Sequence, residues 1–582
     1  MSLPELSTDP CPYHPSLVVP LAAEAPGVAG SHDRSALGLA GIALLVLAAC
    51  ALWGWPLLSF LTCAFIPGLL HGALAPSIRP FVQALHDGML LALRNSLMVA
   101  LAAGLLALPL GSWLAWLQVR SQTAWRGWIE PGVWLLLVMP GYFLASGWIL
   151  LAAPVGPLAR WPWLLGLAQH LMGPLGIVLT LTLKALPFTF LATQSSLRSV
   201  SAAPDEAARV LGLSRRQRIA ITVALLLPGL AAGFAAAFAE SMSDFAVAAT
   251  LGAGSGFVLA TYAIEQAVNA MPLNFPAAAA ASWLLLTLIV PALALQAWLT
   301  RRVAGRRSLG PRFRPVAPFR LGRRAAALHT LAAGMLATLA LGVPLLAAGS
   351  LARGGSASAS LPQMLDAVLP AFRYSLELAI LAASVTVMLA WPVAAAVAKT
   401  GRAGRVLDFA LLSVMALPGI VLAAAYVLAY NQPYTPLYGG SSLLVMAYVA
   451  LALPAATKVL QGPVAQLHHG FSEAARVHGL SRLQTLRHVE LPLLARPLFS
   501  AWLLSVLHVA FEMPASELLY PAGHPPLAVA LLDSVSGVQL HQQARLQLLG
   551  MALLLAFALL ARAVFGRISS GSHLVVSTAA PQ

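Results

Sequence analysis

The sequence predicts an all-α polytopic membrane protein of about 12 transmembrane helices in two parallel six-helix repeats. Hydrophobic residues make up 59% of the 582 residues and charged residues only 9%, whereas about a quarter of a soluble domain is charged. Most of the surface must therefore contact lipid. The apolar residues form blocks of about 18 to 28 residues, the length a helix needs to cross the hydrocarbon core. Several motifs also recur in the same order along two halves of the chain.

The apolar blocks are separated by short polar or Gly/Pro-rich stretches. They predict spans at 36–56, 92–116, 131–153, 174–196, 221–246 and 277–299, and again at 326–349, 373–398, 406–430, 441–461, 490–512 and 546–566. The first block stays apolar to about residue 70, so its end is the least defined. None of the blocks shows the alternation of apolar and polar residues over about ten positions that is typical of strands in a membrane barrel.

Arginine placement predicts the orientation, because cytoplasmic loops carry an excess of positive charge. The predicted inside loops hold Arg120 and Arg126; Arg198, Arg209, Arg215, Arg216 and Arg218; Arg301 to Arg324; Lys399, Arg402 and Arg405; Arg476, Arg482 and Arg487; and Arg562 and Arg567. We expect a cytoplasmic N-terminal tail at 1–35, a first span that acts as a retained signal anchor, and a cytoplasmic C-terminal tail at 568–582. The same pattern accounts for the net charge of +15 without nucleic-acid binding.

An Arg/Pro-rich stretch, RRVAGRRSLGPRFRPVAPFRLGRR at 301–324, divides the two repeats. Its composition is typical of an extended cytoplasmic linker, here between domains at 36–300 and 325–567. The repeated motifs are RNSL from Arg94 and RYSL from Arg373, Pro140-Gly141 and Pro418-Gly419, and Leu186-Pro187 and Leu453-Pro454. Since six spans is an even number, the two halves have the same orientation.

The most similar repeat lies in two matching cytoplasmic loops, DEAARVLGLSRRQ at 205–217 and SEAARVHGLSRLQ at 472–484. E-A-A-R-V favours a short helix with a smooth alanine face. The following Gly permits the left-handed turn that ends a helix, and the Ser after it is a typical N-cap for the next helix. The shared residues are Glu206, Ala207, Ala208, Arg209 and Gly212 in the first copy, and Glu473, Ala474, Ala475, Arg476 and Gly479 in the second.

The pattern E-A-A-x-x-x-G, followed by a hydrophobic run and L-P, resembles the EAA motif of permeases in binding-protein-dependent ABC importers. Two copies in one chain resemble the fused two-domain permeases of the ferric iron type, over about residues 90–300 and 370–565. In the first copy Leu227-Pro228 lies three residues further from its glycine than Leu491-Pro492 does in the second. This departure affects only the expected start of the fifth span.

This resemblance implies a type I ABC importer permease fold in the bacterial inner membrane, with substrate conducted by alternating access. The two loops would be coupling helices that dock two copies of an ATPase subunit, and a periplasmic or lipid-tethered binding protein would deliver the substrate. ATP and magnesium would be used by the partner ATPase, and this chain would have no cofactor and no enzymatic activity.

Two acid-bearing segments near the ends of the fifth and eleventh spans resemble the iron-type branch more specifically. They contain Glu240 and Asp244, four residues apart and so on one helix face, and Glu512. Since a carboxylate inside a membrane is costly and normally faces a cavity or a partner, the three form a candidate pathway or gate for a cationic or metal-bearing substrate. The alternative is a structural role at a helix end.

The sequence has no G-x-x-x-x-G-K-[ST] loop, because none of the three lysines follows a glycine, and no Cys/His cluster with metal-ligand spacing. ATP hydrolysis is therefore expected in a separate chain. Ferric iron is the first expectation for the substrate, and a phosphonate such as 2-aminoethylphosphonate or thiamine is the alternative. A different class, an ion-gradient-driven secondary transporter, would use Glu240 and Asp244 as an ion relay.

Overall fold

A computed structural model describes residues 36–577 apart from 70–71, 124, 272, 306–317, 353–360, 399–401, 416, 468–473 and 476. The predicted tail at 1–35, half of the linker at 301–324 and two motif residues, Glu473 and Arg476, lie outside the described residues. Within them, eleven helices are long and apolar enough to cross a membrane, and a bent pair of helices raises the count to twelve. The predicted all-α membrane fold is thus confirmed.

The first half contains the following helices. They are Ala36–Ala49, a π-helical turn Cys50–Gly54, Trp55–Cys63, Arg79–His86, Met89–Arg120, Arg126–Val138, Gly141–Ala152, the 3-10 turns Pro157–Arg160 and Pro162–Leu164, Leu165–Leu171, Pro174–Ser199, Ala203–Val210, Arg215–Ser243, the π turn Ala248–Gly252, Ala253–Ser255, Ala260–Asn269 and Phe275–Gly305.

The second half repeats this order from Arg323. Its helices are Arg323–Ala337, the π turn Thr338–Gly342, Val343–Ala352, Leu361–Ala398, Arg402–Met415, Gly419–Tyr430, Ser441–Gln466, Arg482–Thr485, the π turn Leu486–Glu490, Leu491–Val509, Pro514–Leu519, Leu527–Ser536 and Leu540–Ser577. Two short strands, Asn431–Gln432 and Thr435–Pro436, pair antiparallel after Gly419–Tyr430.

The third and ninth spans, predicted as single helices at 131–153 and 406–430, are each broken into two. The third breaks at Met139-Pro140, where both residues have extended backbone (ψ 125° and 145°). The two parts of the ninth, Val406–Met415 and Gly419–Tyr430, are bent by 97°. A proline disfavours the helical conformation in the residue before it, so each repeated Pro-Gly dipeptide ends one helix and starts the next.

The repeated R-x-S-L motif also has a structural role in both halves. The Ser96 hydroxyl accepts a hydrogen bond from the Ala260 amide at 2.8 Å, and the Ser375 hydroxyl accepts one from the Leu527 amide at 2.7 Å. Ala260 and Leu527 are the first residues of equivalent ten-residue helices. Each serine therefore satisfies a buried amide at a helix start, a group with no partner inside its own helix.

Each half has a segment near its start that packs against the other half. In the first half, the Trp53 indole donates to the Ala450 carbonyl at 3.1 Å, and the Tyr426 hydroxyl donates to the Leu52 carbonyl at 2.9 Å. In the second half, Val343–Ala352 packs on Gly141–Ala152. The approach is close there, because a Cβ on Gly147 would lie 2.3 Å from the Pro344 Cβ. The two halves therefore interlock through exchanged helices.

The last residues of the linker pack against the first half. Phe319 forms a parallel bridge with Ser121, with hydrogen bonds of 3.0 Å from the Gln122 amide to the Phe319 carbonyl and from the Phe319 amide to the Arg120 carbonyl. The Arg320 side chain donates to the Gln122 side chain at 3.2 Å. This contact joins the start of the second half to the end of the second span that is predicted to be cytoplasmic.

Candidate functional site

The two repeated loops have the same backbone conformation wherever both are described. In the first, a short helix over Ala203–Val210 ends at Gly212, which has φ +69°, and in the second Gly479 has φ +79°. The Leu213 amide donates to the Ala208 carbonyl and the Leu480 amide to the Ala475 carbonyl, both at 3.0 Å. Positive φ favours glycine, which accounts for its presence at both positions.

A serine N-cap starts the next helix in both copies, as predicted. The Ser214 amide donates to the Gln217 side chain at 2.9 Å, while the Ser214 hydroxyl accepts from the Gln217 amide. The Ser481 amide and the Gln484 side chain form the same contact at 2.8 Å. This reciprocal capping box fixes the direction in which the fifth and eleventh spans leave the loops.

The loops bury one alanine and leave their tips exposed. Ala208 and Ala475 are 3% and 5% exposed, whereas Val210 and Val477 are 88% and 85% exposed. Glu206, at the start of the first copy, is also exposed. The two copies therefore expose the same apolar residue at the same place.

In the first half, the membrane carboxylate Asp244 is paired with a lysine. Its side chain is 1% exposed, it accepts a hydrogen bond from the Val247 amide at 2.7 Å, and it forms an ion pair with Lys184. The Lys184 ammonium also lies 3.1 Å from a carboxylate oxygen of Glu240. Gly141, at the break in the third span, leaves room for Asp244, since a Cβ there would lie 3.0 Å from a carboxylate oxygen.

In the second half, Glu512 occupies the same structural position without a lysine. It is 8% exposed, and one carboxylate oxygen accepts from the Ala515 and Ser516 amides at 2.9 and 3.2 Å. Gly419 is the counterpart of Gly141, because its Cβ would lie 3.4 Å from a Glu512 oxygen. None of the ion pairs between described residues includes Glu512.

The correspondence of Asp244 with Glu512 identifies a residue that the sequence prediction missed. The motif Glu240-x-x-x-Asp244 aligns with His508-x-x-x-Glu512, so His508 is the counterpart of Glu240. Glu240 has a side chain that is 32% exposed, and His508 is exposed. Alignment of the two acid-bearing segments would have revealed this pair.

The three predicted pathway residues have two different environments in the structure: Asp244 and Glu512 share one, and Glu240 has the other. Asp244 and Glu512 are buried and accept hydrogen bonds from amides at the starts of short helices, the role foreseen as the structural alternative. Glu240 is partly exposed, and one of its carboxylate oxygens lies 3.1 Å from the Lys184 ammonium. No group of three or more His, Cys, Asp or Glu residues suited to a metal ion occurs in the described part of the chain.

Comparison with known proteins gives two matches to one family profile, described as a binding-protein-dependent transport system inner membrane component. The matches cover residues 107–305 and 387–571. These ranges include the broken third and ninth spans, the two loops and the segments that contain Asp244 and Glu512.

Individual relatives are similar at low identity. A probable ABC transporter permease of Sinorhizobium fredii is 25% identical over 77% of this chain and 82% of its own length. A ferric transport system permease of Actinobacillus pleuropneumoniae is 25% identical over 67% of this chain and 59% of its own. A thiamine transport system permease of Escherichia coli is 29% identical over 24% of this chain and 26% of its own.

Proposed function

Because the chain belongs to the family of binding-protein-dependent transport system inner membrane components, and contains the family domain twice, we propose that it forms the complete substrate-conducting unit of an ABC importer in the bacterial inner membrane. A binding protein would deliver the substrate to the outer face. ATP hydrolysis on two copies of a separate ATPase subunit would then drive alternating access, in which the two halves open the path first outward and then inward.

The paired loops carry this proposal. An exposed valine, a glycine with positive φ and a serine cap recur in this order at equivalent places in the two halves. Two equivalent docking surfaces fit two copies of one ATPase subunit. Glu206 and Glu473 would contact cations on that subunit, and the capping boxes at Ser214 and Ser481 would transmit the movement to the fifth and eleventh spans.

For the substrate, we propose ferric iron. The similarity to the ferric permease extends over two thirds of this chain, whereas the similarity to the thiamine permease covers about a quarter. The two acids Glu240 and Asp244 share a single cation, Lys184, and this excess of negative charge also favours a cationic substrate. Thiamine, itself a cation, and a phosphonate such as 2-aminoethylphosphonate are the alternatives within the importer class.

Uptake of labelled ferric iron by cells that lack this gene tests both parts of the proposal. The cells would carry the wild-type chain, a Glu206→Arg/Glu473→Arg double variant, or the control Asp87→Arg, which reverses an exposed acid outside the loops. We expect the wild type and the control to restore uptake and the double variant to lose at least nine tenths of it at equal membrane abundance.

Other outcomes would contradict the docking role, the substrate or the transporter class separately. Equal uptake by the double variant would contradict the docking role of the loops. Absence of iron uptake by the wild type, with uptake of labelled thiamine or 2-aminoethylphosphonate, would replace the substrate but keep the importer. Uptake that survives ATP depletion and stops with a protonophore would instead support a secondary transporter.

A further inference from the structure

A cavity of about 300 Å³ is lined by residues of both halves of the chain. Its volume is at the lower end of the range of pockets for small ligands, roughly 300–1,000 Å³. One wall is the first part of the broken third span, Arg126–Val138, and the facing wall is the helix Arg323–Ala337 with the π turn that follows it. The two halves therefore enclose this cavity jointly.

The floor of the cavity is apolar and buried. Leu114 of the second span is 7% exposed, Val133 of the third span is 5% exposed, and Leu186 of the fourth span is 1% exposed. Burial of apolar surface against such residues is favourable in proportion to the area removed from water. The floor therefore fits a hydrocarbon chain better than a hydrophilic solute.

The mouth of the cavity lies between exposed residues of its two walls. Trp128 is 78% exposed on one wall, and Gly334 is exposed on the other. Leu331 and Met335, on the same helix as Gly334, are 71% and 64% exposed. Because a membrane helix turns large apolar side chains toward lipid rather than toward water, this helix borders the bilayer. An occupant can therefore enter the cavity from the surrounding lipid.

Two tryptophans of the first half hold the facing helix at one end of the cavity. The Trp125 indole donates to the Thr330 hydroxyl at 2.6 Å, and both residues line the cavity. The Trp113 indole donates to His329 Nδ1 at 3.1 Å. This end is near the bridge between the linker and the second span, and is therefore the end predicted to be cytoplasmic. The hydrogen bonds fix the spacing of the two walls there.

The same end of the cavity carries positive charge. Arg323 is seven residues before Thr330, so it lies two turns away on the same helix face, at about 10 Å along the axis. Arg126 directly follows Trp125. Among the described residues, no ion pair includes either arginine. The cap residue Gly322 gives the helix start no side-chain hydrogen bond, and the first amides of a helix attract anions. The charge complementary to this end is therefore negative.

We propose that the cavity binds an acyl chain of an anionic phospholipid from the leaflet on the side predicted to be cytoplasmic, and that Arg126 and Arg323 bind its phosphate. The apolar floor recognises the chain, and the arginines recognise the headgroup. A lipid in this place fills the space between the two walls and so joins the first part of the third span to the helix Arg323–Ala337. The inference is independent of the transported substrate, since it rests on the cavity and on the charges beside it.

Photo-crosslinking of lipid analogues to the full chain tests this proposal. The chain is reconstituted into phosphatidylcholine vesicles with a trace of phosphatidylglycerol that carries a diazirine in one acyl chain. A parallel sample contains phosphatidylcholine with the same diazirine chain. Mass spectrometry of peptides measures the labelling of the two walls, Arg126–Val138 and Arg323–Ala337. The baseline for bulk lipid is the labelling around Leu105, which is 61% exposed on the second span.

We expect the phosphatidylglycerol analogue to label the walls roughly fivefold more than the phosphatidylcholine analogue, because one arginine near the membrane surface favours an anionic lipid by about this factor. Around Leu105 the two analogues should label equally. Arg323→Gln should lower the preference about fivefold, whereas Arg562→Gln, which replaces an exposed arginine on the last helix, should leave it unchanged. Equal labelling of the walls by both analogues in the wild type would overturn the assignment of an anionic lipid.

Substitution of the glycines that line the cavity tests whether a chain occupies it. Gly132→Leu and Gly334→Leu, one on each wall, each place a side chain in the cavity. No described atom from elsewhere in the chain lies within 4 Å of a Cβ at either position, and leucine favours a helix more than glycine does, so both variants should fold and elute from size exclusion as the wild type does.

In each of these variants, labelling of the walls by both analogues should fall to the baseline around Leu105. Gly349→Leu is the matched control, since its Cβ also meets open space but the residue lies outside the cavity, and it should leave labelling unchanged. Labelling that persists in both cavity variants, or that never exceeds the baseline in the wild type, would overturn the proposal.

Discussion

The two halves of the molecule use one backbone arrangement to hold a buried carboxylate, but they stabilise its charge differently. Asp244 has a lysine partner and one backbone amide, whereas Glu512 has two backbone amides and no cation within ion-pair distance among the described residues. The residue equivalent to Lys184, counted from the repeated prolines Pro187 and Pro454, is Leu451. The two halves thus share the carboxylate that caps a helix, but only the first half has a lysine as its counter-ion.

This difference places the ion-paired carboxylates in the first half. In the first half, Lys184 brings Glu240 and Asp244 together. In the second half, the environment of Glu512 contains Tyr448, whose hydroxyl contacts the Ser516 hydroxyl at 2.7 Å. Because polar hydroxyls and amides replace the lysine, we expect removal of the carboxylate charge to change the free energy of unfolding by different amounts in the two halves.

The largest effect is expected for Lys184→Met. The substitution leaves the buried carboxylate of Asp244 without its counter-ion, and loss of one partner of a buried ion pair costs about 3–5 kcal/mol. We expect the free energy of unfolding, measured by reversible unfolding in bicelles, to fall by about this amount.

The double variant Lys184→Met/Asp244→Asn is the control for that result. Since it removes the unpaired charge together with the lysine, it should recover more than half of the lost stability. If the double variant is no more stable than Lys184→Met alone, the loss arises from packing of the lysine stem and the difference between the halves is not electrostatic.

A smaller effect should separate Asp244→Asn from Glu512→Gln. Asp244→Asn removes charge-assisted bonds to Lys184, which are worth about 1.5–3 kcal/mol. Glu512→Gln should cost less than about 1 kcal/mol, because its amide oxygen still accepts from the Ala515 and Ser516 amides and no cation is left behind. Thermal denaturation of both variants at one pH measures the order, and a larger loss for Glu512→Gln would contradict our account of the second half.

The sequence predicted the membrane fold, the duplication and the ends of the two loops, because these depend on local features. Apolar length predicts a span, and the glycine at 212 or 479 followed by a serine predicts a helix end and a cap. The breaks in the third and ninth spans were missed, although Pro140 and Pro418 were recognised as a repeat. Proline occurs inside other spans without such a break, for example Pro109 within Met89–Arg120.

Long-range pairings were beyond prediction from one sequence. Lys184 lies 60 residues from Asp244 along the chain, and nothing local to either residue indicates their contact. The hydrogen bond from Trp53 to Ala450 joins the two halves, and it depends on which of the twelve similar apolar helices pack together. The correspondence of His508 with Glu240 could have been predicted from the sequence, since the four-residue spacing of Glu240 and Asp244 recurs in His508 and Glu512.

The smallest effect should be equal in the two halves. Ser96→Ala and Ser375→Ala each leave one buried helix-start amide without its acceptor, at a cost of about 1–2 kcal/mol. Ser241→Ala is the control, since the Ser241 hydroxyl only donates to the Ala237 carbonyl of its own helix, and it should cost less than about 0.5 kcal/mol. Unfolding in bicelles measures all three. Equal losses of stability at Ser96 and Ser375 would show that the repeated serine contact contributes equally in the two halves. The energetic difference between the halves would then be confined to the charged groups around Lys184. Unequal losses would mean that the packing around the two serines also differs between the halves. The difference in stability loss between Asp244→Asn and Glu512→Gln could then no longer be assigned to Lys184 alone.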